Sequence, residues 1–271
     1  MPTTTSNGGP ISYEVIDCAL PWRNPAETIV FHHGLGACGA VWSGWTPFLI
    51  DSYRLVRFDM RGHGATPVPE PYRWSLQSML DDLGSVIDAA GASTANGEGV
   101  HLVGESIGGT IVLAFAGAHP HRVKSVTVCN GAHAGGSIEN VGAWADVIER
   151  GGMSAWSEQM MANRFYAGAL SEAMRQWYEE RQTECDPKAI LEALTVLTQT
   201  DLSSQLGEMI PPVLLLHPDD SPFIAVEIMA DLRRRLRNAR LEVLPGTRHG
   251  LPFSHAGPCA RSVRRFLLAN S

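Results

Sequence analysis

The residues at positions 104–108, Gly-Glu-Ser-Ile-Gly, are of the types that activate a serine nucleophile. An apolar run precedes them and a small, apolar stretch follows, so the pattern predicts a strand, a sharp turn and a helix. Such a turn holds a hydroxyl away from the backbone and beside a base. The flanking glycines fit because a Cβ there would collide with the neighbouring strand or helix. Ser106 is therefore the predicted nucleophile.

Two other segments supply the partners that such a serine needs. His249 follows the last predicted strand, and an imidazole that titrates near neutrality can accept a proton and return it. Residues 32–36, His-His-Gly-Leu-Gly, end an early strand, where a glycine-rich turn can direct a backbone N–H at a developing oxyanion. We expect the amides of Leu35 and Ile107 to form a two-donor oxyanion hole.

The carboxylate that would orient the imidazole has more than one candidate. The strand at residues 213–217 leads into Pro-Asp-Asp-Ser-Pro, which places two carboxylates between the serine and the histidine in chain order. Asp219 is the first choice for this acid and Asp220 the second. A Ser–His dyad, or an acid from elsewhere in the chain, is the third alternative.

Short aliphatic runs alternate with segments of helical period, which predicts a largely parallel sheet covered by helices on both faces. Apolar positions from Leu76 to Ala90 form one buried helical stripe. Residues 1–10 are expected to be a frayed tail. We assign residues 1–135 and 207–271 to the core and 136–206 to a helical cap. The predicted strands are residues 11–16 (an edge strand), 28–33, 54–59, 100–103, 123–129, 213–217 and 241–244.

The cap segment is rich in aromatic residues and methionine, which could line a substrate pocket or simply pack the cap on the core. Arg164 could pair with a carboxylate of the substrate or with glutamates of the cap itself. His133 follows a strand at the functional edge of the sheet. The candidate pocket residues are Trp144, Met160, Met161, Arg164 and His133.

The composition excludes several classes of function. The net charge is -7, with 21 Lys and Arg against 28 Asp and Glu, so binding to nucleic acid is not expected. Adjacent His32 and His33 would point to opposite faces of a strand, and no dinucleotide or phosphate-binding motif is present, so we expect neither a metal nor a cofactor. Five scattered cysteines, no signal peptide and no long apolar run indicate a cytoplasmic protein without a membrane span.

Together these segments resemble the α/β-hydrolase superfamily, in particular its small capped members related to 3-oxoadipate enol-lactonases and bacterial carboxylesterases. The resemblance covers nearly the whole chain and includes residues 59–64, Asp-Met-Arg-Gly-His-Gly. It implies an α/β fold with a mostly parallel eight-stranded sheet, flanking helices and a helical cap, in which Asp59, Arg61 and His63 brace a loop. At the position where the family usually has its acid, this sequence has Ser221, and at the alternative position it has Asn130.

The residues and the resemblance predict a serine hydrolase that cleaves a carboxylic ester, lactone or thioester of a small molecule through an acyl-serine intermediate. Two alternatives stay open: hydrolysis or lysis of a carbon–carbon bond in a ketone by the same Ser–His pair, and a receptor that binds a ligand without turnover. Apolar residues of the cap could also serve a homodimer.

Overall fold

The computed structural model describes residues 1–18, 20, 22, 26–91 and 99–270, and in these ranges the chain forms one sheet of eight strands. In chain order they are β1 (Thr3–Ser6), β2 (Gly9–Ile16), β3 (Glu27–His32), β4 (Tyr53–Phe58), β5 (Val100–Glu105), β6 (Val123–Cys129), β7 (Val213–Pro218) and β8 (Ala239–Leu244). Their order across the sheet is β1-β2-β4-β3-β5-β6-β7-β8. Along this order the neighbours from β4 through β3 to β8 pair in parallel, whereas β1 with β2 and β2 with β4 pair antiparallel. The predicted mostly parallel sheet is confirmed.

Helices cover both faces of this sheet. They are α1 (Thr46–Leu49), α2 (Leu76–Ala89), α3 (Ile107–Ala118), α4 (Trp144–Arg164), α5 (Glu172–Thr183), α6 (Pro187–Gln199), α7 (Val226–Arg235), α8 (Leu251–Ser254) and α9 (Ala256–Ala269). The predicted stripe of α2 is buried, and the Ser75 side chain caps the helix by accepting from the Ser78 amide at 3.1 Å. No helix in the described part of the chain is long and apolar enough to cross a membrane.

The alternation of side chains along each strand explains why both faces are apolar. In β3, Val30 belongs to the core that includes α2 and α3, whereas Ile29 and Phe31 belong to the core that includes α1 and α9. The parallel strands therefore present continuous apolar runs. Their carboxyl ends meet at one edge, where β3 and β5 each lead directly into a loop that carries predicted site residues.

The segment between β6 and β7, all of which is described, contains α4, α5 and α6 and no strand. Gly152, at φ 66°, interrupts α4. Asp186 caps α6 and its amide donates to the Gly62 carbonyl at 2.8 Å, which attaches these helices to the loop after β4.

The prediction of a frayed tail at residues 1–10 is wrong. Residues Thr3–Ser6 form the edge strand β1, with Thr3 opposite Ser12, so β2 is not an edge strand as predicted. Asn7 and Gly8 both have positive φ, of 45° and 82°, which is the backbone of a tight hairpin turn. The Asn-Gly pair is a strong hairpin pattern that outweighs the polar composition of this segment.

Arg61 holds this hairpin on the core. Its side chain is almost fully buried and donates to the Asp82 carboxylate at 3.0 Å, to the Ser6 carbonyl at 2.6 Å and to the Pro10 carbonyl at 2.7 Å. Tyr72 donates its hydroxyl to the same carboxylate at 3.0 Å. The guanidinium is thus both paired and hydrogen-bonded, which a buried charge requires.

Two buried histidines brace the loops after β3 and β4. The Met60 amide donates to His33 Nε2 at 3.0 Å, and the Gly36 amide donates to His63 Nε2 at 3.0 Å. Because each Nε2 accepts, each ring carries its proton on Nδ1, which donates to a carbonyl in its own loop. Burial lowers the pKa of His63 to about 4 and that of His33 well below its ordinary value.

We expect Arg61→Ala to lower the free energy of unfolding by about 3–5 kcal/mol, because it leaves the Asp82 carboxylate buried without its partner. Urea unfolding followed by circular dichroism measures the change. Arg175→Ala, which removes an exposed ion pair with Glu179 on α5, is the matched control and should change stability by at most about 1 kcal/mol. Equal losses in the two variants would contradict the role given to Arg61.

Stability should fall as the pH drops from about 6.5 to 4. Burial lowers the pKa values of His32, His63 and His217 from 6.5 to about 4, so in this window the unfolded chain binds protons that the native chain does not. Each such site contributes a slope of about 1.4 kcal/mol per pH unit. Glu105, whose pKa is raised from 4.5 to about 7, acts in the opposite direction, but a single group does not cancel three. Urea midpoints measured across this range test the slope.

The variant His63→Gln checks the assignment. Gln keeps an acceptor for the Gly36 amide but cannot be protonated, so the slope should decrease by about one proton. A slope that stays the same in this variant would show that His63 titrates equally in the folded and unfolded chains.

Candidate active site

Ser106 lies in the turn between β5 and α3 with φ 55° and ψ -121°, a backbone conformation that a residue with a side chain rarely adopts. Its amide donates to the Cys129 carbonyl at 2.9 Å and to Asn130 Oδ1 at 3.2 Å, which holds the turn. The turn demands glycine on both sides. A Cβ on Gly104 would lie 2.3 Å from the Gly108 carbonyl oxygen, and one on Gly108 would lie 2.5 Å from the His32 carbonyl oxygen.

The loop that contains Leu35 runs beside this turn. Gly34 approaches so closely that a Cβ on it would lie 3.2 Å from Ser106 Cβ, and Gly36 adopts a positive φ of 69°. Leu35 lines the same cavity as Ser106. Ile107 is the first residue of α3, where an amide has no partner within its own helix. The two amides named from the sequence therefore belong to segments that meet at Ser106.

His249 lies in the loop after β8 and is 3% exposed. Its carbonyl accepts a hydrogen bond from Asn130 Nδ2, and the same Asn130 side chain accepts from the Ser106 amide. The Phe223 ring meets the imidazole edge-on with 4.8 Å between ring centroids. Asn130 thus links the backbones of the predicted nucleophile and the predicted base.

The structure does not place Asp219 on the imidazole, and this part of the sequence prediction is wrong. Its carboxylate accepts from the amides of Gly246 at 2.8 Å and Thr247 at 3.0 Å. These hydrogen bonds hold the loop that carries His249. These backbone hydrogen bonds lower the pKa of Asp219.

The second candidate, Asp220, is also engaged elsewhere. Its carboxylate accepts from Tyr166 at 2.7 Å and from Arg248 at 2.9 Å. Ser221 takes the position on His249 instead, with 3.2 Å between Ser221 Oγ and His249 Nδ1. Among the described residues, no carboxylate is hydrogen-bonded to this imidazole.

The electrostatic surroundings of His249 keep it neutral. Burial, the positive charge of Arg164 and the nearby His217 lower its pKa well below the ordinary value. A carboxylate partner would act in the opposite direction.

Ser106 and His249 line the same cavity under the cap helices, whose free volume is about 20 Å³. Three predicted pocket residues, Trp144, Met160 and Arg164, line it. Apart from Ser106, His249 and Arg164 its walls are apolar. The other lining residues are Leu35, Ala132, Ile138, Val141, Leu194, Leu197, Phe223 and Ile224.

Two predicted pocket residues do not line this cavity. Met161 faces the core that includes α1 and α9, where it lies with Phe165 and Tyr178, because it follows Met160 by one residue on α4 and so points to another side of the helix. His133 pairs with Asp231 of α7 at 3.2 Å. Sequence reasoning could have found Leu194 and Leu197 from the helical spacing of α6, but it could not tell which face of this helix meets Ser106. Val141 lies before α4, outside any helix, and no periodic pattern indicates it.

Arg164 ends α4 and crosses from the cap to the loop that contains Leu35. Its guanidinium donates to the Leu35 carbonyl and, at 2.5 Å, to the Tyr178 hydroxyl, while its Nε has no partner. In the part of the chain that the structure describes, no glutamate of the cap forms an ion pair with it. The alternative of a salt bridge within the cap is therefore excluded for these residues.

Glu105 precedes the serine and is 2% exposed. Burial raises its pKa to about 7, although the charge of Arg164 and a hydrogen bond from the Gly34 amide act in the opposite direction. By accepting from the Gly34 amide, the Glu105 side chain holds the loop that contains Leu35.

Comparisons with known proteins agree with this architecture. The sequence model of the alpha/beta hydrolase family matches residues 29–262. A putative carbamate hydrolase, RutD, of Pantoea ananatis is 28% identical over 217 residues, which is 78% of this chain and 77% of the relative. A pimeloyl-[acyl-carrier protein] methyl ester esterase of Methylococcus capsulatus is 28% identical, covering 89% of this chain and 95% of the relative.

The fold is also similar to solved structures. The enol-lactonase from Burkholderia xenovorans LB400 superposes with a TM-score of 0.86 at 22% identity, over 98% of this chain and all of the other. The family match covers most of the chain, and the sheet order and the turn at Ser106 agree with it. This chain is a member of the α/β-hydrolase family.

Proposed function

We propose that the protein is a serine hydrolase that cleaves a carboxylic ester, lactone or thioester of a small molecule through an acyl-Ser106 intermediate. The observation that carries this proposal is the strained turn that presents Ser106 to the same enclosed cavity as His249 and Leu35. A strained nucleophile turn is maintained only where the surrounding structure holds it, which here is done by two hydrogen bonds to its amide.

In the acylation step, Ser106 Oγ attacks the carbonyl carbon of the substrate while its proton passes to His249 Nε2, the ring nitrogen not engaged by Ser221. The carbonyl oxygen becomes an oxyanion that accepts from the Leu35 and Ile107 amides. The bond to the leaving oxygen or sulfur then breaks, and His249 returns the proton to that atom.

Deacylation repeats these steps with water. A water molecule gives a proton to His249 and attacks the acyl carbon, after which the proton returns to Ser106 Oγ as the acid is released. Arg164 lies near this centre, and its charge opposes a long-lived imidazolium but favours the transient oxyanion.

The cavity supports a substrate with an apolar part. Its walls are aliphatic and aromatic side chains, which is the common lining of ligand pockets. The curated relatives are named for a carbamate and for a methyl ester, and one similar structure is an enol-lactonase. These names agree with cleavage of an acyl–heteroatom bond.

Arg164 is our candidate for recognition of a carboxylate on the substrate. It is buried at the cavity wall, and its Nε–H has no partner among the described residues. A buried donor without a partner is unfavourable, and an anionic substrate group would satisfy it with a charge-assisted hydrogen bond.

A fluorophosphonate should label Ser106, and short acyl p-nitrophenyl esters should be turned over. Ser106→Ala should abolish both, because the attacking oxygen is removed, whereas Ser85→Ala on the outer side of α2 should keep both. Mass spectrometry of the labelled peptide and release of p-nitrophenol measure the two outcomes.

Other outcomes of this experiment identify the alternatives. Turnover of a diketone without a trapped acyl-serine would favour carbon–carbon bond cleavage by the same residues. Tight binding of a ligand without labelling or turnover would favour a receptor.

Arg164→Ala should lower kcat/KM for esters that carry a free carboxylate about 10–100-fold more than for neutral esters of the same length. This difference is the worth of one charge-assisted hydrogen bond, about 1.5–3 kcal/mol. Steady-state kinetics with the hemisuccinate and butyrate esters of one alcohol measure it. Arg248→Ala, which removes a partly exposed guanidinium bound to Asp220, is the control. Equal losses for both esters would show that Arg164 acts only through Leu35.

A further inference from the structure

Ser221 is the hydrogen-bond partner of His249 Nδ1, in a place where a carboxylate would orient the ring and stabilise its cation. The consequence of this replacement depends on which atom of the pair carries the shared proton. The donors around Ser221 Oγ determine which atom carries this proton. The inference rests on the proposed function only in what it says about turnover.

Two backbone amides point at the Ser221 hydroxyl. The Ile224 amide donates to Oγ at 3.2 Å and the Phe223 amide at 3.4 Å. A hydroxyl has two lone pairs and one hydrogen, so these amides occupy its acceptor capacity. The hydroxyl hydrogen is then left for the third neighbour, His249 Nδ1, which must accept.

An imidazole that accepts at Nδ1 carries its proton on Nε2. The groups around the ring do not oppose this arrangement. Arg164 at the end of α4 and His217 of β7 are the ionisable groups that act on it, and both disfavour the doubly protonated ring. Asn130 contacts only its carbonyl, and Phe223 presents a ring to it.

We propose that Ser221 is a positioning residue that holds the resting His249 in the tautomer with the proton on Nε2. This tautomer presents an N–H to the cavity, whereas deprotonation of Ser106 needs a lone pair at the same nitrogen. The enzyme therefore turns over from its minor tautomer, and its kcat lies below the value that the same site would reach with a carboxylate at position 221.

Nuclear magnetic resonance reads the tautomer without any substrate. Long-range proton–nitrogen spectra of the ¹⁵N-labelled protein near neutral pH distinguish the two ring nitrogens, and His249→Gln identifies the signals. We expect the proton on Nε2 in the wild type and on Nδ1 in Ser221→Asp, because a carboxylate only accepts. A wild-type ring with its proton on Nδ1 would overturn the proposal.

Kinetics give the second readout. Ser221→Asp should raise kcat at least ~10-fold and shift the acidic limb of the pH–rate profile upward, because a carboxylate favours the imidazolium. Ser221→Ala should keep or raise kcat, since the hydroxyl is not an orienting acceptor. A loss of ~10-fold or more in Ser221→Ala would contradict the proposal.

Two controls separate this proposal from the proposed function. Asp220→Asn removes a nearby carboxylate that bonds Arg248 and Tyr166 instead of His249, so it should keep the wild-type pH profile. Failure of fluorophosphonate to label Ser106 in every variant would defeat the serine mechanism, while the tautomer measured by resonance would still test the role of Ser221.

Discussion

The edge of the sheet that carries Ser106 depends on two imidazole rings that must stay neutral. His33 and His63 each accept a hydrogen bond from an amide of the neighbouring loop at Nε2, and each donates a hydrogen bond from Nδ1 to a carbonyl. A second proton on either ring would place two donors face to face. These hydrogen bonds therefore hold the loop with Leu35 only where the rings are uncharged, and burial lowers their pKa values so that they are.

Three further side chains contact the loop that contains Leu35. The Glu105 carboxyl receives the Gly34 amide, Arg164 of the cap binds the Leu35 carbonyl, and Trp156 packs so closely on Gly36 that a Cβ would lie 2.5 Å from its ring. Side chains of the core and of the cap thus hold the same short loop, residues 34–36. The Leu35 amide in this loop is one of the two that our proposed mechanism assigns to the oxyanion.

Much of this arrangement was predictable from local patterns. Apolar runs gave the seven strands from β2 to β8, the spacing of α2 gave its buried face, and the glycines around Ser106 indicated a turn too tight for any Cβ. The failures have a common physical origin. Asp219 is bound by backbone amides, and no pattern of side chains reports where such amides point. Met161 was misplaced because a sequence does not tell which face of a cap helix meets the core, and His133 because a sequence does not tell that the loop after β6 turns it toward Asp231 of α7.

The N-terminal hairpin has a consequence for the loop beside Ser106. Arg61 donates to the carbonyl oxygens of residues 6, 9 and 10, and it lies two residues before His63, whose ring accepts from the Gly36 amide. Removing the first ten residues would leave this guanidinium with the Asp82 carboxylate but without most of its backbone acceptors. Trimming a terminus whose composition looks dispensable would thus act on the loop beside Ser106, and protein shortened in this way would be a poor substitute for the full chain in any assay of activity.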